Sequence, residues 1–449
     1  MIINAEQQEI QHEHCWPRPG YAWYVVVVLT LAYVVSMIDR QILSLLVEPV
    51  KQDLHINDTA FGLLHGFAFG LFYTLVGIPI AWLADHSNRR RIIITGVFLW
   101  SLLTAACGLA RGFTTLFLAR MGVGIGEAAL APSVLSMLSD MFPRERLHAP
   151  ISLYTNGAYW GTGMAFILGG AVVQLVTQHP VTELPVLGAV RSWQLTFFFV
   201  SIPGFLLLPL LFTIKEPMRR SSRGLSMGNS GGLRDYLREN INALAGLYLG
   251  MSLLVLVTVS LFVWTPALFI RRFDWSAGNI GYVFGVIVLV FGTAGINLGG
   301  LLTDRLVQRG MIDAPLRVAA TSAIGVVPFL AIIAITKSST GTLVLLAPVI
   351  FLISFPAGAG MAAIQAIVPN QFRARMTAVF VLVSNLVAML LGPPLVGLMT
   401  DYVFGSPGYL GEALASVCGV ACVLSSIIMI RALGAFRVTF SAQTRLSIT

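Results

Sequence analysis

The sequence predicts an all-α membrane protein of twelve transmembrane helices, arranged as two six-helix bundles related by a pseudo-two-fold axis. Three observations carry that expectation. Of 449 residues, 56% are hydrophobic and 11% charged, where a soluble protein has roughly 25% charged. The mean hydropathy is +0.82, and the apolar residues fall in blocks near the ~20 residues that cross a bilayer as helix. The chain also repeats itself across its midpoint. Such a composition excludes a disordered chain, a nucleic-acid binder and most soluble enzymes.

Residues 1–20, MIINAEQQEIQHEHCWPRPG, carry acids and histidines but no apolar core, so they read as a cytoplasmic tail and not as a signal peptide. The first bundle, 21–213, opens with the apolar run Tyr21–Glu48, which stops before Lys51. Thr59–Ala84 follows and is ended by Asp85 and the arginines Arg89–Arg91. Arg91–Ala110 stops at Arg111, Phe113–Met141 at Pro143-Arg144-Glu145-Arg146, His148–Val176 at a polar loop, and Ser192–Thr213 at Lys215. The segment 214–240 contains KEPMRRSSRGLSMGNSGG and reads as a linker made flexible by Gly and Ser. In the second bundle, 241–433, Ile241–Ile270 precedes Arg271 and Arg272, and Ile280–Thr303 precedes Asp304 and Arg305. Pro315–Thr336, Thr342–Val368, Met376–Thr400 and Tyr409–Ala432 complete the set, and 434–449 is a second tail.

Basic residues are retained on the cytoplasmic side of a membrane. With the amino terminus inside, the cytoplasmic segments hold twenty Lys and Arg and the outer loops six: Lys51, Arg111, Arg191, Arg271, Arg272 and Lys337. Both termini are therefore expected in the cytoplasm. The net charge of +8 reflects this topology and not a nucleic-acid site. Cys15, Cys107, Cys418 and Cys422 lack metal or disulfide spacing and read as small hydrophobes.

The halves rhyme at two loops. Ala81-Trp-Leu-Ala-Asp85 with Arg89, Arg90 and Arg91 ends the second span, and Gly300-Leu-Leu-Thr-Asp304-Arg305 ends the eighth; Arg144 and Arg373 mark a second pair, at offsets of 219 and 229 residues. A parallel repeat of this kind is a transporter architecture. An acid and several bases in a short turn can lock two helix ends and release them when the halves rock; a solvated loop obeying the charge rule is the plainer alternative. Gly122-x-Gly124-x-Gly126 in the fourth span lacks the strand before and the Lys-Ser/Thr after that a phosphate loop needs.

Four ionisable residues lie inside the first and fourth spans: Asp39, Arg40, Arg120 and Glu127. Arg120 and Glu127 are seven residues apart, which returns them to within ~20° of one face with ~10.5 Å of rise. By depth, Asp39 falls level with Arg120, so the two are expected to pair. An unpaired charge there costs at least ~2.5–3.5 kcal/mol, so these groups are either a static network or a working one. In the working reading Arg120 exchanges between Asp39 and Glu127, and Glu127 takes a proton when the arginine leaves. Arg40 is the candidate for a substrate head group. His65 reads as a hydrogen-bonded spectator before a proton relay, and Gly157, Gly161, Gly163, Gly169 and Gly170 as packing and gating positions. The second half has no Asp, Glu, Lys or Arg in the interior of its spans, away from their ends; its buried polarity is limited to groups such as Asn297, Ser354, Ser384 and Asn385. A charged half facing an apolar half suits an amphipathic substrate.

The paired loops resemble the Gly-x-Leu-x-Asp-Arg-x-Gly-Arg-Arg signature of the major facilitator superfamily (the MFS fold), at Gly300, Leu302, Asp304 and Arg305 in the second copy. The first copy departs from it at Ala81, His86 and Asn88. Asp39-Arg40-Gln41, the run from Arg120 to Glu127, and Gly392-Pro393-Pro394 with Gly397 resemble the spinster branch, a group associated with lysophospholipid and sphingosine-1-phosphate transport. The resemblance implies a bacterial-type member in which Asp39, Arg40, Arg120 and Glu127 line a central cavity and protons are coupled.

The expected function is secondary active transport, by alternating access, of a lipid-like substrate of the lysophospholipid or sphingoid phosphate type, proton-coupled through Glu127, Arg120 and Asp39. A small organic anion such as a sugar acid is the alternative substrate. The expected partners are that substrate, the proton and the lipid bilayer of a bacterial inner membrane. The chain is expected to act as a monomer, with no cofactor, metal, nucleotide, nucleic acid or enzymatic nucleophile.

Overall fold

The computed structural model describes residues 16–178, 181–184, 188–219, 230–369 and 372–446. Cys15 and most of the first tail, Arg220 and Arg223 of the linker, and residues 447–449 lie outside them. Twelve helices are long and apolar enough to cross a membrane: α1 Pro19–Leu45, α2 Asp58–His86, α3 Arg89–Cys107, α4 Phe113–Met141, α5 His148–Val176, α6 Ser192–Thr213, α7 Gly232–Phe273, α8 Ala277–Gln308, α9 Ala314–Ile335, α10 Ser339–Ile367, α11 Arg375–Val403 and α12 Pro407–Gln443. Their even number puts the two ends of the chain on one face, here the terminal face; the other is the distal face.

The spans sit where apolar periodicity puts them, and the departures are at their ends. α1 stops at Leu45, and the polar run beyond it folds as a separate helix, Val47–Leu54, carrying Glu48 and Lys51. That helix ends on His55 in left-handed backbone (φ 51°), and Asn57 then caps α2 by accepting from the Ala60 amide. Between α5 and α6 the chain makes an unexpected two-strand hairpin, β1 Val181–Leu184 against β2 Gly188–Arg191. The linker is shorter than the sequence suggests, because the helix of α7 begins at Ser230 and kinks at Asn240 (φ −111°, ψ 15°). Tyr236 docks this extension by donating to the Ile367 carbonyl at 3.0 Å. The second tail departs likewise: the helix of α12 continues to Leu446, held by buried Phe436 and by a Thr439 hydroxyl on the Asn240 side chain at 2.7 Å.

Each half is a bundle around its own apolar core, and the halves meet along two seams, α5 with α8 and α2 with α11. Small residues make both seams, since without a hydrophobic drive between helices in lipid, close backbone approach supplies the contact. A Cβ on Gly285 would lie 2.6 Å from the Gly163 carbonyl oxygen, one on Gly281 2.6 Å from that of Phe166, and one on Gly62 2.6 Å from that of Pro393. Gly157, Gly161 and Gly169 face α1 instead, so the glycines of α5 serve two surfaces. All these cross-half contacts lie in the distal half of the membrane. Nearer the terminal face the packing loosens: a Cβ on Gly77 in α2 or Gly300 in α8 would meet nothing within 4 Å, and the α5–α8 seam is bridged by the Asn297 amide on the Asn156 side-chain oxygen at 3.4 Å.

Candidate functional site

A cavity of about 210 Å³ lies between the halves near mid-membrane. Its first-half wall is polar and aromatic, from Tyr33, Arg40 and Gln41 on α1, His65 and Phe69 on α2, and Tyr159 on α5. Its second-half wall is Val255, Val259, Phe262 and Val263 of α7 with Met389 of α11, relieved only by Thr258 and Asn385. Asn385 also lines a second cleft, about 370 Å³, that runs between α2, α4 and α11 past Tyr73, Gly77 and Leu382.

Behind the polar wall the four intramembrane charges come together. The Arg40 guanidinium donates to Glu127 Oε2 at 2.7 Å, and its Cζ lies 4.6 Å from the Phe69 ring centroid and 5.0 Å from that of Tyr73. Arg120 donates to the main-chain oxygen of Asp39 at 3.2 Å, and its Cζ lies 5.5 Å from the same Phe69 ring centroid. The expected pairing of Asp39 with Arg120 is thus made through the backbone: the Asp39 carboxylate lies beside Thr104 with no donor at hydrogen-bond geometry on either oxygen. Arg120 is not the partner of Glu127 either; Arg40, assigned to a head group, holds that place. Asp39, Arg120 and Glu127 are at most 1% exposed, and of the four only Arg40 lines the cavity, its side chain 15% exposed. Buried Arg120 Nε and Nη2 and Glu127 Oε1 also lack hydrogen-bond partners, so the network holds more bonding capacity than it uses.

His65 reaches the cavity because α2 widens into a π-helical turn at Leu63–Phe67. Its Nδ1 is buried and has no hydrogen-bond partner among the described residues. The sequence singles out His65 but not the π-turn that carries it to the cavity.

The basic residues of the first loop motif are held within their own bundle. Arg89 is buried and is a hub of the first bundle, donating to Glu216 Oε1 at 2.7 Å, to the Ser136 carbonyl at 3.0 Å and to Asp140. Arg90 gives its amide to Glu216 Oε2 at 2.8 Å. Among the described residues Asp85, Asp304 and Arg305 are exposed and make no cross-half ion pair, and a Cβ on Gly300 would meet nothing within 4 Å.

The lock is on the distal face, among residues that sequence reasoning used only for counting charge. Arg271, at the end of α7, donates to both oxygens of Asp58 at 2.8 and 2.7 Å and to Glu48 at 2.6 Å. Lys51 also pairs with Asp58. Asp401 of α11 accepts from the Thr59 amide and hydroxyl, each at 2.7 Å, and so caps the start of α2 from the other half. Fully buried Asp58 with cations on both sides of it was the available signal. Both seams are therefore fastened at the distal face.

This geometry has relatives. A family model described as Major Facilitator Superfamily matches residues 29–393. The chain belongs to that superfamily. Among curated relatives of this transporter, an "MFS-type efflux pump" of Mycolicibacterium smegmatis is 27% identical over 92% of this chain and 93% of its own. "Protein spinster" of Drosophila melanogaster is 24% identical over 64% of this chain and 46% of its own. The "Hexuronate transporter" of Bacillus subtilis is 23% identical over 91% and 93%. Among solved structures, that of a bacterial homologue of the human lysosomal transporter spinster, described as inward-facing and unoccupied, aligns with a TM-score of 0.77 and 25% identity over 96% of this chain and 99% of that one. The transporter is a spinster-like secondary transporter of the superfamily, and not an enzyme.

Proposed function

We propose that this transporter carries an amphipathic, lipid-like substrate with an anionic head group, and that proton binding at Glu127 is coupled to it. The observation that carries the reading is the division of the central cavity: Arg40 on one wall, and on the other a mainly apolar surface of Val255, Val259, Phe262, Val263 and Met389 with Thr258 and Asn385. A head group and a hydrocarbon tail each find a matching environment there. A small sugar acid is polar all round and would leave its hydroxyls against that apolar wall, an unfavourable burial. The hexuronate relative favours the second reading, a small organic anion bound to Arg40 alone.

Coupling follows from competition for one guanidinium. An anionic head group entering the cavity draws Arg40 away from Glu127, and a buried carboxylate without a cation is costly to keep ionised, so Glu127 takes a proton. This replaces the exchange of Arg120 between Asp39 and Glu127, since Arg40 is the group bound to Glu127. Arg120 positions α1 through the Asp39 carbonyl and keeps the local field positive. The terminal face is the cytoplasmic face of a bacterial inner membrane in this proposal, and the cavity opens to it.

The test is transport in liposomes of a fluorescent lysophospholipid or sphingoid phosphate, with and without a pH gradient, for wild type and Glu127→Gln. Gradient-driven movement in the wild type and its loss in the variant are expected. Lipid movement with unchanged pH dependence in Glu127→Gln would remove the proton role. No lipid movement, together with uptake of a hexuronate, would establish the second reading.

A further inference from the structure

A second apolar groove lies outside the central pathway, on the membrane-facing side of the second bundle. It has a volume of about 520 Å³ and is walled by Leu302 and Leu306 of α8, Ile324 of α9, and Val423, Ile427 and Ile430 of α12. Leu302, Ile324 and Ile430 are 42%, 50% and 57% exposed, so the groove faces the hydrocarbon and not the protein interior.

At its terminal end each of the three helices supplies an arginine in phase with the wall. Arg309 follows Leu302 by seven residues, Arg317 precedes Ile324 by seven and Arg437 follows Ile430 by seven. Seven residues are two helical turns, ~10.5 Å along the axis and within ~20° of the same face. The basic groups thus crown the groove at the depth where head groups begin. Two of them are positioned by one buried carboxylate: Arg317 Nε donates to Asp313 Oδ1 at 3.0 Å and Arg437 Nε to Oδ2 at 2.7 Å. Asp313 is 4% exposed and the two arginine side chains 41% and 48%. One acid shared between two bases leaves net positive charge facing outward, and Arg309, at the C-cap of α8 in phase with Leu302, adds to it. Asp304 lies two residues from Leu302, about 200° round α8, and does not belong to this face.

We propose that this groove holds a glycerophospholipid with an anionic head group, its acyl chains along the apolar walls and its phosphate on Arg309, Arg317 and Arg437. Basic clusters at the mouth of an interhelical cleft favour anionic over zwitterionic lipid. A lipid seated there joins the terminal end of α8, with Gly300 and Asp304, to α12. The proposal is independent of which substrate the central cavity carries.

Native mass spectrometry of the detergent-purified transporter, mixed with equimolar phosphatidylglycerol and phosphatidylcholine of the same chains, tests it. Phosphatidylglycerol is expected to be retained about five-fold over phosphatidylcholine. Arg309→Gln with Arg317→Gln leaves Arg437 on Asp313, so the fold keeps its ion pair, and it is expected to reduce that preference to parity. Ile324→Trp fills the groove with the arginines intact and is expected to lower retention of both lipids, with an unchanged thermal unfolding midpoint. Equal retention by the wild type, or a preference untouched by both variants, would overturn the proposal. So would a dimer that Ile324→Trp dissociates, which would make a second copy of the chain the occupant.

Discussion

Arg40 does at residue scale what no other cation of the site does: it touches both the cavity and a buried carboxylate. Its guanidinium lies over Phe69 and Tyr73 and hydrogen-bonds Glu127, an arrangement a lysine cannot reproduce because an ammonium has neither the plane nor the fork. Arg40→Lys is expected to raise the KM for an anionic lipid by about ten-fold while the charge is kept, loss of the stacking alone being worth ~0.5–2 kcal/mol. An unchanged KM would dismiss Arg40 as the head-group ligand. A second residue-scale prediction concerns Asp313, outside the spans. Burial would raise its carboxyl, but hydrogen bonds from Arg437 and Arg317 outweigh it and hold the group below the ordinary carboxylate range. A carboxyl depressed on folding stabilises the fold above its unfolded pKa, near ~3.9, and loses that contribution as pH falls through the folded value. Asp313→Asn is therefore expected to lower the unfolding midpoint at pH 7, with the difference from wild type vanishing in strong acid. The sequence disclosed which charges enter the membrane but not their pairing. Arg40 and Glu127 are 87 positions apart on helices whose relative rotation neither segment encodes alone, so depth suggested Arg120 for Asp39 and left Arg40 free.

At the scale of elements, the distal latch decides which face is sealed. Arg271 on α7 binds Asp58 and Glu48, and Asp401 on α11 caps α2, so both seams are fastened at the same end. Asp58→Asn removes the charge that Arg271 and Lys51 share. Hydrogen bonds to charged groups are worth ~1.5–3 kcal/mol, so the distal-open population is expected to rise about ten-fold or more. With the native cysteines replaced, Val259→Cys on the cavity wall reports this as faster labelling by an impermeant thiol reagent from the distal side. Unchanged labelling would mean that the glycine seams alone hold that face. Helix positions were legible because ~20 apolar residues have few alternatives in a bilayer. The helical start of α7 at Ser230 and the helix beyond Ala432 were not, because both are polar segments ordered by tertiary contacts such as Tyr236 on Ile367 and Thr439 on Asn240.

The whole molecule follows from duplication and charge asymmetry. Twenty basic residues on one side of the predicted topology against six on the other lead us to expect the terminal face in the cytoplasm. A carboxy-terminal green fluorescent protein fusion should fluoresce and an alkaline phosphatase fusion at the same site should be inactive; the reverse result would invert the transporter. The duplication extends to irregularities: π-helical turns occur at Leu63–Phe67 in α2 and at Val288–Gly292 in α8, 225 residues apart and between the loop-motif offsets of 219 and 229, with a further π-turn at Met399–Val403 in α11. These turns bear on the seams. Gly62, Gly66 and Gly70 recur every fourth residue along α2 against α11, and Gly281, Gly285 and Leu289 do so along α8 against α5. In a regular helix a four-residue stripe drifts by ~40° per step and winds off its neighbour. A π-turn advances less per residue and cancels part of that drift where Gly62 steps to Gly66 and Gly285 to Leu289. Straighter edges part more like the covers of a book, whereas two spiralling edges would have to unscrew.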